Sequence, residues 1–169
     1  MEHTQAARLE QEVARLISKV FIHLDESDRQ LMRRFGLTVT QYWALVHLED
    51  GEGRSLSELA ILLICDKSNV TSIVDKLEAA GLAERKHGKA GDRRYTRVVL
   101  TQQGQQLRER AIAAREHLIE SRFELLSIDN LHQLFLSFQH LADVLQAQFD
   151  GDEVTNLIED SIKQSHPSD

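Results

Sequence analysis

Within ten positions the chain places Lys67, Ser68, Asn69, Thr71, Ser72 and Lys76, two cations and four short hydrogen-bonding side chains. Val70, Ile73, Val74 and Leu77 recur between them at helical spacing, which predicts one buried stripe with the polar set on the other faces. Short donors and acceptors framed by cations can bond base edges and phosphates in a DNA major groove. A solvated surface helix also carries a polar face, so the neighbouring stretches decide between the two. Asp66 is a natural N-cap for this helix, since its carboxylate can accept from a free N–H of the first turn. Gly81 is its stop, because glycine enters the left-handed conformation without a Cβ clash.

The elements that position these residues can be read on both sides. Upstream, Ser55 and Glu58 form a capping box, and Leu56, Leu59, Ala60, Leu62 and Leu63 follow as a short helix. Only Ile64, Cys65 and Asp66 separate the two helices, which predicts a helix-turn-helix. Downstream, residues 83–86 and 94–100 flank a loop, His87-Gly88-Lys89-Ala90-Gly91-Asp92-Arg93. In the second flank Tyr95, Arg97 and Val99 alternate with Arg94, Thr96, Val98 and Leu100, the period of a strand. The expected fold is therefore mostly α with a small β-hairpin wing: a winged helix-turn-helix carried with long helices.

The ordered series Leu37-Thr38-x-x-Gln41, Leu59-Ala60, Asp66-Lys67-Ser68-x-Val70-Thr71, Val74-Asp75-Lys76-Leu77-Glu78, Gly81-Leu82, Asp92-x-Arg94 and Leu100-Thr101-x-x-Gly104 closely resembles the MarR (multiple antibiotic resistance regulator) family. The resemblance implies a homodimeric winged-helix regulator that binds double-stranded DNA, often a repressor released by a small ligand or an oxidant. It implies a wing in which Arg94 enters the minor groove while Asp92 holds the loop. A narrow minor groove concentrates negative potential, and a guanidinium is well matched to it. Arg85, Lys86, Lys89 and Arg93 complete the basic wing, the last three on phosphates. Recognition falls to Ser68, Asn69, Thr71 and Ser72, with Lys67 and Lys76 on phosphate or base.

Overall charge is −7, which is the wrong sign for a DNA partner. Its distribution is not. From Lys67 to Arg97 eight basic residues stand against four acidic ones, whereas residues 150–169 hold six acids and a single lysine. Phosphate is felt over about 8 Å at physiological salt, so local sign outweighs the sum. The 169 residues, 41% hydrophobic and 28% charged, suit one domain with a real core. No apolar run reaches the roughly 18 residues of a membrane span, and no signal-peptide core follows Met1. A single cysteine excludes an internal disulfide framework. A cytoplasmic protein with no membrane partner is expected.

Residues 1–149 are expected to form one domain of the MarR type, with the DNA-binding lobe at 37–101. Leu9, Val13, Leu16, Ile17, Val20, Phe21, Leu24 and Leu31 predict a long amphipathic helix, within which Asp25, Glu26, Asp28 and Arg29 mark a solvated stretch. Thr38 and Gln41 make a second capping box. Thr101 caps a later helix with Leu107, Ala111, Ala114, Leu118 and Leu125 near heptad spacing. After Ser127, Asp129 or Asn130 as cap, Leu131, Leu134, Phe135, Phe138, Leu141, Leu145 and Phe149 form a last apolar helix. Pattern and resemblance together assign 5–35 and 102–149 to dimerisation, a purely internal core being the alternative. Residues 150–169 are an acidic tail.

Trp43, the only tryptophan, has a large area to bury in the core. The other reading places Phe21, Tyr42 and Trp43 around a small aromatic or phenolic effector. Cys65 packs as a small hydrophobe, with oxidant sensing the alternative. His132 and His140 lie two turns apart, too far for one ion, so neither metal nor cofactor is expected. Nothing resembles a phosphate loop, a nucleophile elbow or a catalytic carboxylate pair, so no enzymatic activity is expected. The competing function is a dimeric winged-helix module that docks protein without specific DNA binding. A wing used only for protein has no need of Lys86, Lys89, Arg93 and Arg94 together.

Overall fold

In the computed structural model residues 2–48, 53–87 and 96–150 are described. They form α1 (Glu2–Arg34), α2 (Val39–His47), α3 (Leu56–Leu62), α4 (Lys67–Ala79), β1 (Ala83–His87), β2 (Thr96–Leu100), α5 (Gln102–Phe123) and α6 (Ile128–Asp150). The chain divides within α5, at Leu118 and Ile119, into two compact units.

In the first unit the capping chemistry read from the sequence is present. Thr38 and Gln41 exchange side-chain and main-chain bonds at the start of α2, and Ser55 and Glu58 do so at the start of α3. Thr101 Oγ1 accepts from the Gly104 N–H at 3.0 Å, which caps α5, and donates to the Gly81 carbonyl at 2.6 Å. Asp66 departs from expectation. Its backbone holds the extended cap conformation before α4, but its side chain makes no cap hydrogen bond.

Helices α3 and α4 end alike, with different residues at the turn. After α4, Gly81 sits at φ +69, its N–H bonded to Glu78 O and that of Leu82 to Leu77 O. This paired closure satisfies the last carbonyls with glycine where a side chain would clash. After α3 the same two bonds run from Ile64 to Ile61 O and from Cys65 to Ala60 O. There the left-handed position, φ 49, is held by a β-branched residue.

The core of this unit is built from Met32 of α1, Ala44 and Leu45 of α2, and Leu59 of α3. Val70, Val74 and Leu77 of α4, Val98 of β2 and Ala111 of α5 belong to it as well. Strands β1 and β2 pair antiparallel, with Ala83 opposite Leu100 and Arg85 opposite Val98. The strict alternation expected of β2 fails at its end, where Val98, Val99 and Leu100 are all buried. The cause is a third segment. Arg54 bridges Val98, and Gly53 lies so close that an added Cβ would stand 2.5 Å from Val99 Cγ1.

Asp28 is a second departure. Far from marking a solvated stretch, its side chain is 14% exposed and pairs with Arg115 of α5 at 3.3 Å. A carboxylate so nearly removed from water needs a cation beside it, and the long helix reaches α5 there.

In the second unit α6 starts from Ser127, whose Oγ accepts from the Asn130 N–H at 3.3 Å, so Ser127 is the cap. Leu125 lies past the end of α5 and is exposed, not part of its stripe. No residue from 119 to 148 is buried. The acidic tail beyond Asp150 lies outside the described residues.

Candidate nucleic-acid interface

Helix α4 is oriented by its own apolar stripe. Val70, Val74 and Leu77 are fully buried and Ile73 partly so, which turns the rest of the circumference outward. Lys67, Ser68, Asn69, Ser72 and Lys76 are exposed, and Thr71 is half-buried. The Thr71 hydroxyl donates to the Lys67 carbonyl at 2.9 Å. Its proton is spent inside the helix, which leaves Thr71 an acceptor toward any partner. Lys67 and Lys76 make no ion pair among the described residues, so both charges are available.

The two strands differ in what their cations face. Lys86 of β1 is exposed and stands 3.2 Å from Glu84. Arg85 turns back onto α4, one guanidinium nitrogen on Glu78 and the other 2.8 Å from Asp75, while its main-chain N–H reaches Glu78 Oε1 at 2.8 Å. Arg97 of β2 bonds the Gly53 carbonyl at 2.7 Å and lies 3.7 Å from Glu58. Glu58 also receives the Ser55 N–H at 2.7 Å. These bonds hold the Glu58 carboxyl below its ordinary range, the Ser55 contacts first and Arg97 after them, against the opposing cost of burial. Sequence reasoning placed Arg85 among the wing cations and missed its carboxylate partners. The i, i+3 spacing of Asp75 and Glu78 was the available signal. Lys89, Asp92, Arg93 and Arg94 lie outside the described residues.

The three aromatic residues expected around an effector differ in exposure. Tyr42 is buried, Trp43 half-buried and Phe21 exposed. Tyr42 and Trp43 meet edge to face at 5.1 Å, and the Arg115 guanidinium lies 5.0 Å over the Trp43 ring. No ring contact joins Phe21 to them among the described residues. Burial raises the Tyr42 phenol above its ordinary range, against the pull of Arg115, so its hydroxyl stays protonated at neutral pH. A shallow depression along α1, lined by Ala14, Arg15, Ser18, Lys19, Ile22 and His23, includes none of the three. Trp43 and the thiol-bearing Cys65 both pack against the hydrophobic core.

Two helices joined by a tight turn, the second exposing a cationic polar face, followed by a two-stranded antiparallel hairpin, define a winged helix-turn-helix protein. A sequence model of the MarR family matches residues 35–94. AbsC, a MarR family transcriptional regulator from Streptomyces coelicolor, is similar at 28% identity, covering 82% of this chain and 95% of that one with a TM-score of 0.69. A MarR family transcriptional regulator from Rhodococcus sp. RHA1 is similar at 27% identity, over 79% of this chain and 94% of that one, TM-score 0.66. CouR from Rhodococcus jostii RHA1, solved with p-coumaroyl-CoA, is similar at 27% identity with the same coverage and a TM-score of 0.65. No curated protein sequence matches the chain. Residues 35–94 match the MarR family, and the chain is similar in fold to transcriptional regulators of that family. No helix among the described residues is long and apolar enough to cross a membrane.

Proposed function

We propose that the protein is a sequence-specific DNA-binding regulator, a homodimeric repressor released from a pseudo-palindromic operator by a small ligand. One observation carries the reading: α4 buries Val70, Val74 and Leu77 and turns Lys67, Ser68, Asn69, Ser72 and Lys76 to solvent. In this reading Ser68, Asn69, Thr71 and Ser72 read base edges, Lys67 and Lys76 meet phosphate or base, and Lys86, Lys89 and Arg93 meet phosphate. Arg94 enters the minor groove with Asp92 holding the loop. Residues 5–35 and 102–149 dimerise, in keeping with the exposed apolar side chains of α1 and α6. Two half-sites then lie about one helical turn, ~10 bp, apart. The effector is a small aromatic or phenolic molecule near Tyr42 and Trp43, with Phe21 contributed from α1. The p-coumaroyl-CoA on CouR supports that class. A ligand of this kind acts only through its differential affinity for two spacings of the recognition helices.

The alternative, a winged-helix module that docks protein, is favoured by Ile61 and Ile64, which stand exposed beside α4. Selection from random-sequence DNA, followed by titration at several salt concentrations, separates the two. The regulator enriches a palindromic site, loses about 1 to 3 kcal/mol on that site with Asn69→Ala, and little on random DNA. Lys89→Ala weakens all sequences alike. A protein-docking module enriches nothing, and Arg94→Ala leaves its behaviour toward DNA unchanged.

A further inference from the structure

The pairing of Arg85 conflicts with a simple inventory of DNA-facing cations. Asp75 and Glu78 lie three residues apart on α4, on one flank of the helix. Two carboxylates on a helix that must approach phosphate weaken the approach by like-charge repulsion, unless they are engaged elsewhere. Both are engaged by Arg85, at the centre of β1. Its guanidinium spans them, reaching Glu78 with one nitrogen and Asp75 with the other at 2.8 Å. The second Glu78 oxygen takes the Arg85 main-chain N–H, also at 2.8 Å. Glu78 therefore binds strand backbone and side chain together, which fixes the position of β1 along α4 as well as offsetting charge. Only Ala80, Gly81 and Leu82 separate the two elements. A planar fork suits two carboxylates in a way that a single ammonium does not.

We propose that Arg85 is a positioning residue: with Asp75 and Glu78 it locks the wing to the recognition helix, and it does not itself meet phosphate. The proposal rests on the DNA-binding reading above. It makes a prediction of unusual sign, because removing negative charge from a DNA-binding face ordinarily tightens binding. Here Asp75→Asn and Glu78→Gln weaken it, since each loosens the lock.

The test uses the full chain and a labelled duplex that it selects from random-sequence DNA, titrated at several salt concentrations, with folding checked by circular dichroism. Arg85→Gln weakens binding about tenfold, the scale of coupling between contacting groups, and leaves the salt slope unchanged. Arg85→Lys fails to restore full affinity. A phosphate contact would instead lower the slope by about one per protomer, and Lys would largely replace Arg. Either a lowered slope with Arg85→Gln or tighter binding by Asp75→Asn overturns the proposal. Should Glu78→Gln unfold, Asp75→Asn and Arg85→Lys, which leave Glu78 in place, decide the matter. Failure of the unaltered protein to select any duplex overturns the DNA-binding reading itself, a result distinct from normal binding with a phosphate-like Arg85.

Discussion

The winged-helix part of the chain and its long helices spend their apolar residues differently. Around α2, α3 and α4, Leu45, Leu59, Val70, Val74 and Leu77 are wholly removed from water by neighbours in the same chain. Along α1, Leu9, Leu16, Val20 and Phe21 are exposed, and so are Phe135, Phe138 and Leu145 of α6. A monomeric surface rarely presents so many large apolar side chains together. The first region buries its apolar residues within one chain, while the second carries apolar faces that the described residues leave exposed. In the dimer proposed above, a second copy brings identical faces and covers them by an isologous contact.

The largest effect expected is therefore on assembly. Phe135→Glu places a carboxylate in the proposed interface twice, once from each protomer, and an unpaired buried charge costs several kcal/mol. Sedimentation at micromolar concentration is expected to show a dimer for the unaltered protein and a monomer for the variant, whose winged-helix part stays folded. A variant that remains dimeric would remove α6 from the interface and break the contrast between the regions.

Inside the first region, Gly104 in the first turn of α5 is the described glycine with the least room for a side chain. A Cβ there would stand 1.9 Å from the Leu82 carbonyl oxygen, a backbone atom that cannot swing aside. Gly104→Ala is expected to cost about 3 kcal/mol, at the upper end of overpacking effects, measured by urea unfolding. The same substitution at Gly36, where nothing lies within 4 Å, meets only the strain of φ +69 and costs less.

The fold was legible where local chemistry determines it. Thr38 with Gln41 and Ser55 with Glu58 are capping boxes in sequence and in space, because each bond closes within three residues. The stripe of α4 was legible for the same reason, as helical period is a local property. What escaped lies between elements, not within them. The Asp28 to Arg115 pair spans 87 positions, and no pattern around Asp28 announces it. Arg85 reads as one more cation in a basic hairpin until the fold brings α4 against it. The added burial of Val99 comes from Gly53 and Arg54, more than forty positions upstream. Of the residues proposed to read DNA, Lys67, Ser68, Asn69, Ser72 and Lys76 were legible as an exposed face, whereas the Thr71 hydroxyl bond to Lys67 depends on a rotamer.

A smaller effect sharpens the comparison at the turn between α3 and α4. Ile64 holds φ 49 and is 93% exposed, so it stores left-handed strain with almost no burial in return. A residue other than glycine or asparagine in that conformation costs about 1 to 2 kcal/mol. Ile64→Asn is expected to stabilise by about 1 kcal/mol, raising the melting temperature by about 3 °C. Unchanged stability would mean that Ile64 packs against something in solution, which would favour the protein-docking alternative.

The smallest effect is a pH dependence at the start of α3. Glu58 accepts from Ser55 and lies near Arg97, and these contacts lower its carboxyl below the usual glutamate range. A carboxylate lowered on folding contributes stability that is fully present above its unfolded value, about 4.3, and is lost as pH falls through the lower folded value. The capping bonds of α3 should therefore weaken only in acid, below about pH 4, and remain constant from pH 5 to 8. Glu58→Gln keeps an amide oxygen for the Ser55 N–H but has no titrating group. Hydrogen exchange at the amides of residues 56–59, compared between the two proteins from pH 3 to 6, isolates this contribution. A difference that falls with acid identifies the Glu58 charge, through Ser55 and Arg97, as part of what ties the hairpin to α3. A difference independent of pH would assign the cap to hydrogen bonding alone and leave Arg97 with the Gly53 carbonyl as its working contact.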